Sequence, residues 1–289
     1  MKHAFLILAY NNPAHLGRII RRLASDNHYF FIHIDKKVKD LSPFKKEVLN
    51  IKNVYFLNDK QRVVVNWGTF SQIKGELALL RVSSSYLVHF DYYHLMSGAD
   101  YPVQSNEKFD DFFSTNEGKS FMHFDSPEEI EKWRKMKYPQ RLKKWNFMDL
   151  GFKSQRLTRY IQIIFNHLFK RSEISNLTAG WQWFSWHHTV VQYVLDYVKQ
   201  NHDYVKRFRY TTCCDEIFFH NFLYKNLKEL NIEKNSYRYI DWHPKRPTST
   251  LPLILTELDY NDIIDSGALI CRKVDPEISA KLLYLLDKL

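Results

Sequence analysis

Two hydrophobic rhythms alternate along the first hundred positions. Short, nearly unbroken apolar runs at 4–9 (AFLILA), 29–34 (YFFIHI), 53–57 and 92–96 predict strands buried on both faces. Between them the spacing becomes helical. Leu16, Ile19, Ile20 and Leu23 form one apolar face, and Arg18, Arg21 and Arg22 turn to water. Asn12 predicts the N-cap of that helix and Pro13 its first residue. A second helix is predicted from about 69 to 85. Strands separated by helices of this length predict βαβ units and a mostly parallel sheet. In such sheets ligands sit beyond the carboxyl ends of the strands. Asp35 and Asp100 fall at two of those ends.

The second half is less regular. Residues 128–172 are rich in Lys and Arg, show no clear strand and read as a basic insertion. A strand at 181–186 leads into a helix at 189–199. An apolar, aromatic helix with an acidic head follows in 211–226 (TTCCDEIFFHNFLYKN). Beyond it come a strand at 237–242, a Pro-rich loop at 244–252, a short helix at 259–264, a strand at 269–274 and a last helix. No repeat or flexible linker interrupts the chain. It reads as one domain over 1–289, a βαβ half to about 125 followed by a less regular half.

Composition narrows the function. The chain has 289 residues, 45% hydrophobic and 16% aromatic, which is enough to build a large core. The formal net charge of +10 favours anionic partners. Nucleic acid is not expected, because no recognition motif is present and the aromatics lie in segments that read as core. The three cysteines, two of them adjacent, do not form a disulfide framework or a zinc motif. No run approaches the roughly 20 apolar residues of a membrane-spanning helix. A cytoplasmic protein is expected, with peripheral contact on the inner face of the cytoplasmic membrane through 153–171. There Leu157, Tyr160, Ile161, Ile164 and Leu168 share a helical face among Lys153, Arg156, Arg159, Lys170 and Arg171. The competing expectation is that this face packs on the protein's own core.

The candidate chemistry begins at Asp215 and Glu216. Two carboxylates at the start of a helix complement its dipole. A carboxylate at the rim of an aromatic-backed pocket can equally serve as a general base. No Gly-rich phosphate loop, paired-histidine metal motif or Asp-x-Asp pair at a strand end is present, so no cofactor and no divalent metal are expected.

Taken in order, eight segments resemble one family: AFLILAYNNPAHLGRIIRRL, FFIHIDKK, VNWGTFSQIKGELALLR, YYHLMSGADYPV, AGWQWFSWHHTVVQYVL, CCDEIFFHNFL, YRYIDW and SGALICRKVD. The family is the core-2/I-branching β-1,6-N-acetylglucosaminyltransferases, with their peptide O-xylosyltransferase relatives. The chain resembles a compact bacterial-type member. The resemblance implies a glycosyltransferase-A type α/β fold and transfer of a sugar from a UDP-sugar, N-acetylglucosamine first and xylose second. The acceptor is a glycan or lipid-linked glycan, and transfer proceeds with inversion and without a divalent metal. It implies Glu216 as general base. Lys273, with Arg272 or Arg246, would meet the donor diphosphate, and Asp35 the nucleoside. Lys245 stands beside Arg246 as an alternative. Asp100, Trp183, Asp215 and Trp242 would shape the acceptor side. The sequence departs from some members at Val63-Val64-Val65-Asn66, where they carry a tyrosine that stacks on uracil.

Overall fold

A computed structural model describes every residue except 138–140, 152–154, 172, 173 and 175. The strands are β1 His3–Ala9, β2 His28–Ile34, β3 Val54–Phe56, β4 Tyr92–Ser97, β5 Asp100–Pro102, β6 Ser120–Met122, β7 Phe184–His187, β8 Ile232–Glu233, β9 Arg238–Ile240 and β10 Ile270–Arg272. The helices are α1 Pro13–Leu23, α2 Ser42–Lys46, α3 Phe70–Ser84, α4 Asn106–Thr115, α5 Pro127–Lys132, α6 Gln155–Leu168, α7 His188–Gln200, α8 His202–Phe208, α9 Phe218–Leu223, α10 Tyr260–Asp265 and α11 Ala280–Leu286.

Seven strands form one sheet in the order β3-β2-β1-β4-β7-β6-β8. Only β7 runs against the others, pairing antiparallel with β4 and β6. This is the mostly parallel, helix-flanked sheet expected from the alternating rhythms. Period-two alternation sorts β1 between two cores. Ala4 and Leu6 pack with α3, α7 and α9 on one face, while Phe5, Ile7 and Ala9 pack with α1, α4 and α11 on the other. The chain order reverses direction across the sheet between β1 and β4, and in sheets of this kind ligands bind beyond the carboxyl ends of the strands at that point.

A second sheet of three short strands, β5-β10-β9, lies at that end. Its register sets Arg272 opposite Asp100. Asp100 is therefore the buried first residue of a strand, rather than only a turn residue. The expected cap of α1 also differs. Pro13 does begin the helix, but Asn12 adopts a left-handed conformation and its side chain makes no capping bond. Strands β5, β6 and β8 span only two or three residues, too few to leave a period in the sequence.

Candidate active site

The acidic pair lies at the same edge of the molecule, but not on the predicted helix. Cys214–Glu216 form a separate 3-10 turn, and α9 starts only at Phe218. Neither carboxylate caps α9, whose N-cap position is Ile217 and carries no side-chain cap. A capping role at α9 is thereby lost for Asp215 and Glu216.

Glycine and backbone bonds fix the turn from two sides. Gly68 has a φ of +66° and accepts the Cys213 N–H at 2.7 Å. On the other side the Gly180 N–H donates to the Glu216 carbonyl at 3.0 Å. A Cβ on Gly180 would lie 2.2 Å from the His123 carbonyl oxygen and 2.7 Å from His220, so only glycine allows this approach.

The two carboxylates have different surroundings. Asp215 Oδ1 is closed off from solvent and, among the described residues, has no hydrogen-bond partner. Its Oδ2 accepts from Gln72 Nε2 at 3.3 Å. The same Gln72 nitrogen donates to Gln182 Oε1 (2.9 Å), and Gln182 Nε2 donates to Glu76 Oε1 (2.6 Å). Two amides thus link Asp215 to a fully buried glutamic acid on α3. Burial, with the charge of Asp215, pushes the Glu76 carboxyl well above the usual range. Burial and the neighbouring Glu216 charge push Asp215 up to about 7, against the opposing pull of Arg141 and Arg272. Glu216 is the reachable partner. Its side chain is 27% exposed and its Oε2 is paired with Arg141, from the basic insertion.

Arg272 and Lys273 leave β10 together. Arg272 Nη1 donates to Asp100 Oδ1 (2.6 Å) and Ser97 Oγ (2.7 Å). Its guanidinium lies 4.2 Å from the centre of the Trp183 ring. Trp183 is thus buried under a cation, and one face is already covered. Beside it the Lys273 ammonium is pushed below its ordinary value by partial burial and by the Arg272 charge. Among the described residues Lys273 makes no side-chain hydrogen bond or ion pair. Arg246 is differently placed. Its fork grips Asp259 through Nη1 (2.7 Å) and Nη2 (2.5 Å), and Asp259 also accepts the Thr256 N–H. The bidentate bond turns this guanidinium toward its own loop.

Asp35 ends the run of β2 as expected and is buried. Its Oδ1 accepts the N–H groups of Lys37 (2.9 Å) and Val65 (3.4 Å), and its Oδ2 lies 3.3 Å from Lys37 Nζ. The segment with valines in place of the tyrosine therefore closes over Asp35. Trp242 is half-buried against the core, with its indole N–H enclosed.

Sequence reading did not find Arg141, Gln72, Gln182 or Glu76. The first lies in an irregular basic stretch. The others sit among apolar residues, where a buried polar side chain is itself the signal. Nor did it find Trp67, which stands 82% exposed between Asn66 and the Gly68 contact. Among the described residues, the one group of three or more His, Cys, Asp and Glu side chains close enough to hold a metal is His3, His28 and Asp110, far from Glu216 along the strands.

The Core-2/I-Branching enzyme profile matches residues 3–264, and the chain belongs to that family. Human Xylosyltransferase 2 is 25% identical over 248 residues, 80% of this chain and 25% of that protein. Rat Xylosyltransferase 2 is 22% identical over 255 residues, 84% of this chain and 27% of that protein. The chain spans about a quarter of the length of the curated relatives it matches. A solved structure, core-mannan synthase A from Aspergillus fumigatus in an Mn/GDP form, overlaps 77% of this chain and 69% of its own. The identity is 13% and the TM-score 0.34.

Proposed function

We propose that the chain is a glycosyltransferase of the glycosyltransferase-A type. It moves a sugar from a UDP-sugar to a glycan hydroxyl, with inversion and without a divalent ion on the donor phosphates. One observation carries this reading. A reachable carboxylate, Glu216, stands beside Asp215, whose Oδ1 is closed off from solvent, within the field of two fixed cations, Arg141 and Arg272. That is a base next to an anion-stabilising wall. In the proposed step the acceptor hydroxyl oxygen bonds to the anomeric carbon and Glu216 takes its proton. The bond from that carbon to the diphosphate oxygen breaks, and its electron pair leaves with UDP. Arg272 and Lys273 meet the charge that develops there. Arg246 is the weaker candidate for this role, because its fork is bound to Asp259. Asp35, at the end of β2, is assigned to the nucleoside side. Asp100 acts on the donor side through Arg272. Trp183 and Trp242 remain candidates for shaping the acceptor side.

N-acetylglucosamine is the first donor and xylose the second, the latter favoured by the names of the matched relatives. A panel of UDP-sugars, with and without added manganese, tests the reading. Release of UDP from one of them without manganese is the expected result. A strict need for manganese would overturn the metal-free step. Release from none would overturn the function.

The acceptor is proposed to be lipid-linked, at an anionic membrane surface. Helix α6 presents its apolar side outward. Tyr160, Ile163, Ile164 and Leu168 are 60–68% exposed, with Arg156 and Arg159 exposed beside them. The inward side is held by amides. Gln162 accepts the Phe147 N–H (3.0 Å), and Asn166 brackets the Trp145 backbone (2.6 and 3.0 Å). Packing on the core therefore does not explain the apolar face. Of the predicted basic collar, Lys153 lies outside the described residues and Arg171 is buried, donating to the carbonyls of Lys144 and Tyr210. The segment that α6 holds continues to Asp149, which accepts from Thr69 Oγ1 (2.6 Å) and the Ser71 N–H (2.8 Å) next to the Gly68 contact with the acidic turn. Among the described residues no helix is long and apolar enough to cross a membrane. The protein is expected to sediment with phosphatidylglycerol vesicles and much less with phosphatidylcholine ones. The double substitution Ile163→Glu, Ile164→Glu should abolish that sedimentation. Equal sedimentation of the variant would overturn the docking face.

A further inference from the structure

At the amino ends of the strands, opposite the acidic turn, lies a polar cluster that the proposed reaction does not use. His3 and His28 are register partners at the starts of β1 and β2. His94 lies on β4, and Asp110 reaches in from α4. All three histidines are fully buried.

The hydrogen bonds fix which ring atoms face inward. His28 Nδ1 lies 2.5 Å from the Leu23 carbonyl oxygen, which can only accept, so Nδ1 carries the proton. The Nε2 of a neutral His28 then presents a lone pair to Asp110 Oδ1, 2.7 Å away. Two acceptors at that distance require something positive between them. His3 adds a third. Its Nδ1 is engaged with His94 Nε2 (3.0 Å), and His94 Nδ1 with Ser185 Oγ (2.9 Å). Its Nε2 lies 3.6 Å from the same Asp110 oxygen, is closed off from solvent and, among the described residues, has no hydrogen-bond partner. A proton shared between His28 and Asp110 would satisfy those two and leave His3 Nε2 unserved, at a real cost for a buried polar atom. A cation bound to Nε2 of both histidines and to the carboxylate would satisfy all three.

The rest of the geometry suits that ligand. The three donor atoms lie within 4.8 Å of one another, within reach of bonds of about 2.0–2.2 Å to a common ion. Both rings already have Nδ1 fixed by an outer hydrogen bond, as metal-binding imidazoles do. Asp110 is 32% exposed, which gives a way in and room for water as a fourth ligand. Two imidazoles and one carboxylate match zinc better than calcium or magnesium, which prefer all-oxygen shells. We propose that His3, His28 and Asp110 form a binding site for a zinc-class divalent cation. Bound there, the ion would tie the starts of β1 and β2 to α4. It would act on the fold, apart from the donor phosphates.

The test uses the untagged full chain, stripped with chelator and dialysed. Titration with zinc by calorimetry, and with cobalt by visible absorption, should show one ion per chain in a tetrahedral nitrogen–oxygen environment. Zinc should raise Tm and magnesium should not. Asp110→Asn should weaken binding at least as much as the roughly 10–100-fold that loss of an outer partner costs in known sites. His28→Gln serves the same purpose where Asp110→Asn does not fold. His188→Gln, in the surface group of His89, His187 and His188, should leave the stoichiometry at one. No zinc binding by the wild-type chain, undiminished binding by the ligand variants, or loss of the single ion in His188→Gln would each overturn the site.

Discussion

Glu216→Gln is expected to lower sugar transfer by about 10²–10⁴-fold while UDP affinity and Tm change little. The amide keeps the shape of the side chain and a carbonyl oxygen for Arg141, and it cannot take the acceptor's proton. The backbone bond from Gly180 is untouched. The Glu216 side chain caps no helix, so there is no capping bond to lose. Asp215→Asn should cost transfer much less, because its Oδ1 is closed off from solvent and its Oδ2 is engaged by Gln72. Its signature is in stability against pH. The folded-state pKa is raised to about 7, so between the ordinary carboxylate range near 4 and pH 7 the native state holds a proton that the unfolded chain has released. Stability contributed by this group therefore falls as pH rises through that window and is flat above it. The Tm of Asp215→Asn relative to wild type should climb from pH 5 to pH 8. A transfer rate unchanged in Glu216→Gln would falsify the base assignment. A flat Tm difference would remove the raised pKa of Asp215.

The contrast between these neighbouring carboxylates could not be read from the sequence. Asp-Glu before Ile-Phe-Phe gives the same local pattern whether it heads a helix or forms its own turn. The outcome is decided by Gly68 and Gly180, distant in sequence, which bring two loops against Cys213 and Glu216. What was legible is periodic. The strands 4–9, 29–34 and 92–96 and the helix near 69–85 are long enough to show a rhythm, and β1, β2, β4 and α3 fall there. Asp35 was legible because it directly follows such a strand. Strands β9 and β10 were legible at 237–242 and 269–274, but the three-stranded sheet was not, since β5 contributes only three residues and pairs with β10 across more than a hundred positions. The Arg272–Asp100 pair depends on that register, so it too was hidden. In α6 the hydrophobic stripe was legible but its direction was not. Gln162 and Asn166 turn inward because they satisfy backbone groups of the 145–147 segment, a tertiary demand that outweighs the apolar face.

Arg272→Ala should destabilise the fold by about 3–5 kcal/mol, the usual cost of leaving one member of a buried ion pair behind. Asp100 is fully buried, and Arg272 is its cation across the β5–β10 register. The Trp183 face would also lose its guanidinium. Lys273→Ala should hardly move Tm, because among the described residues its ammonium has no partner to strand. It should instead weaken UDP by roughly 1.5–3 kcal/mol, the worth of a hydrogen bond to a charged group, and leave uridine unchanged. The two roles of Arg272 separate in the double variant Asp100→Asn, Arg272→Ala. Removing both charges should restore part of the lost Tm, since Asp100 no longer stands buried without Arg272, while the buried Arg238 loses its neighbouring carboxylate. UDP affinity should stay low if Arg272 also meets the diphosphate. Recovery of wild-type UDP affinity in the double variant would make Arg272 a purely structural cation and leave Lys273 as the diphosphate ligand. Equal weakening of UDP and uridine by Lys273→Ala would move that lysine away from the phosphates altogether.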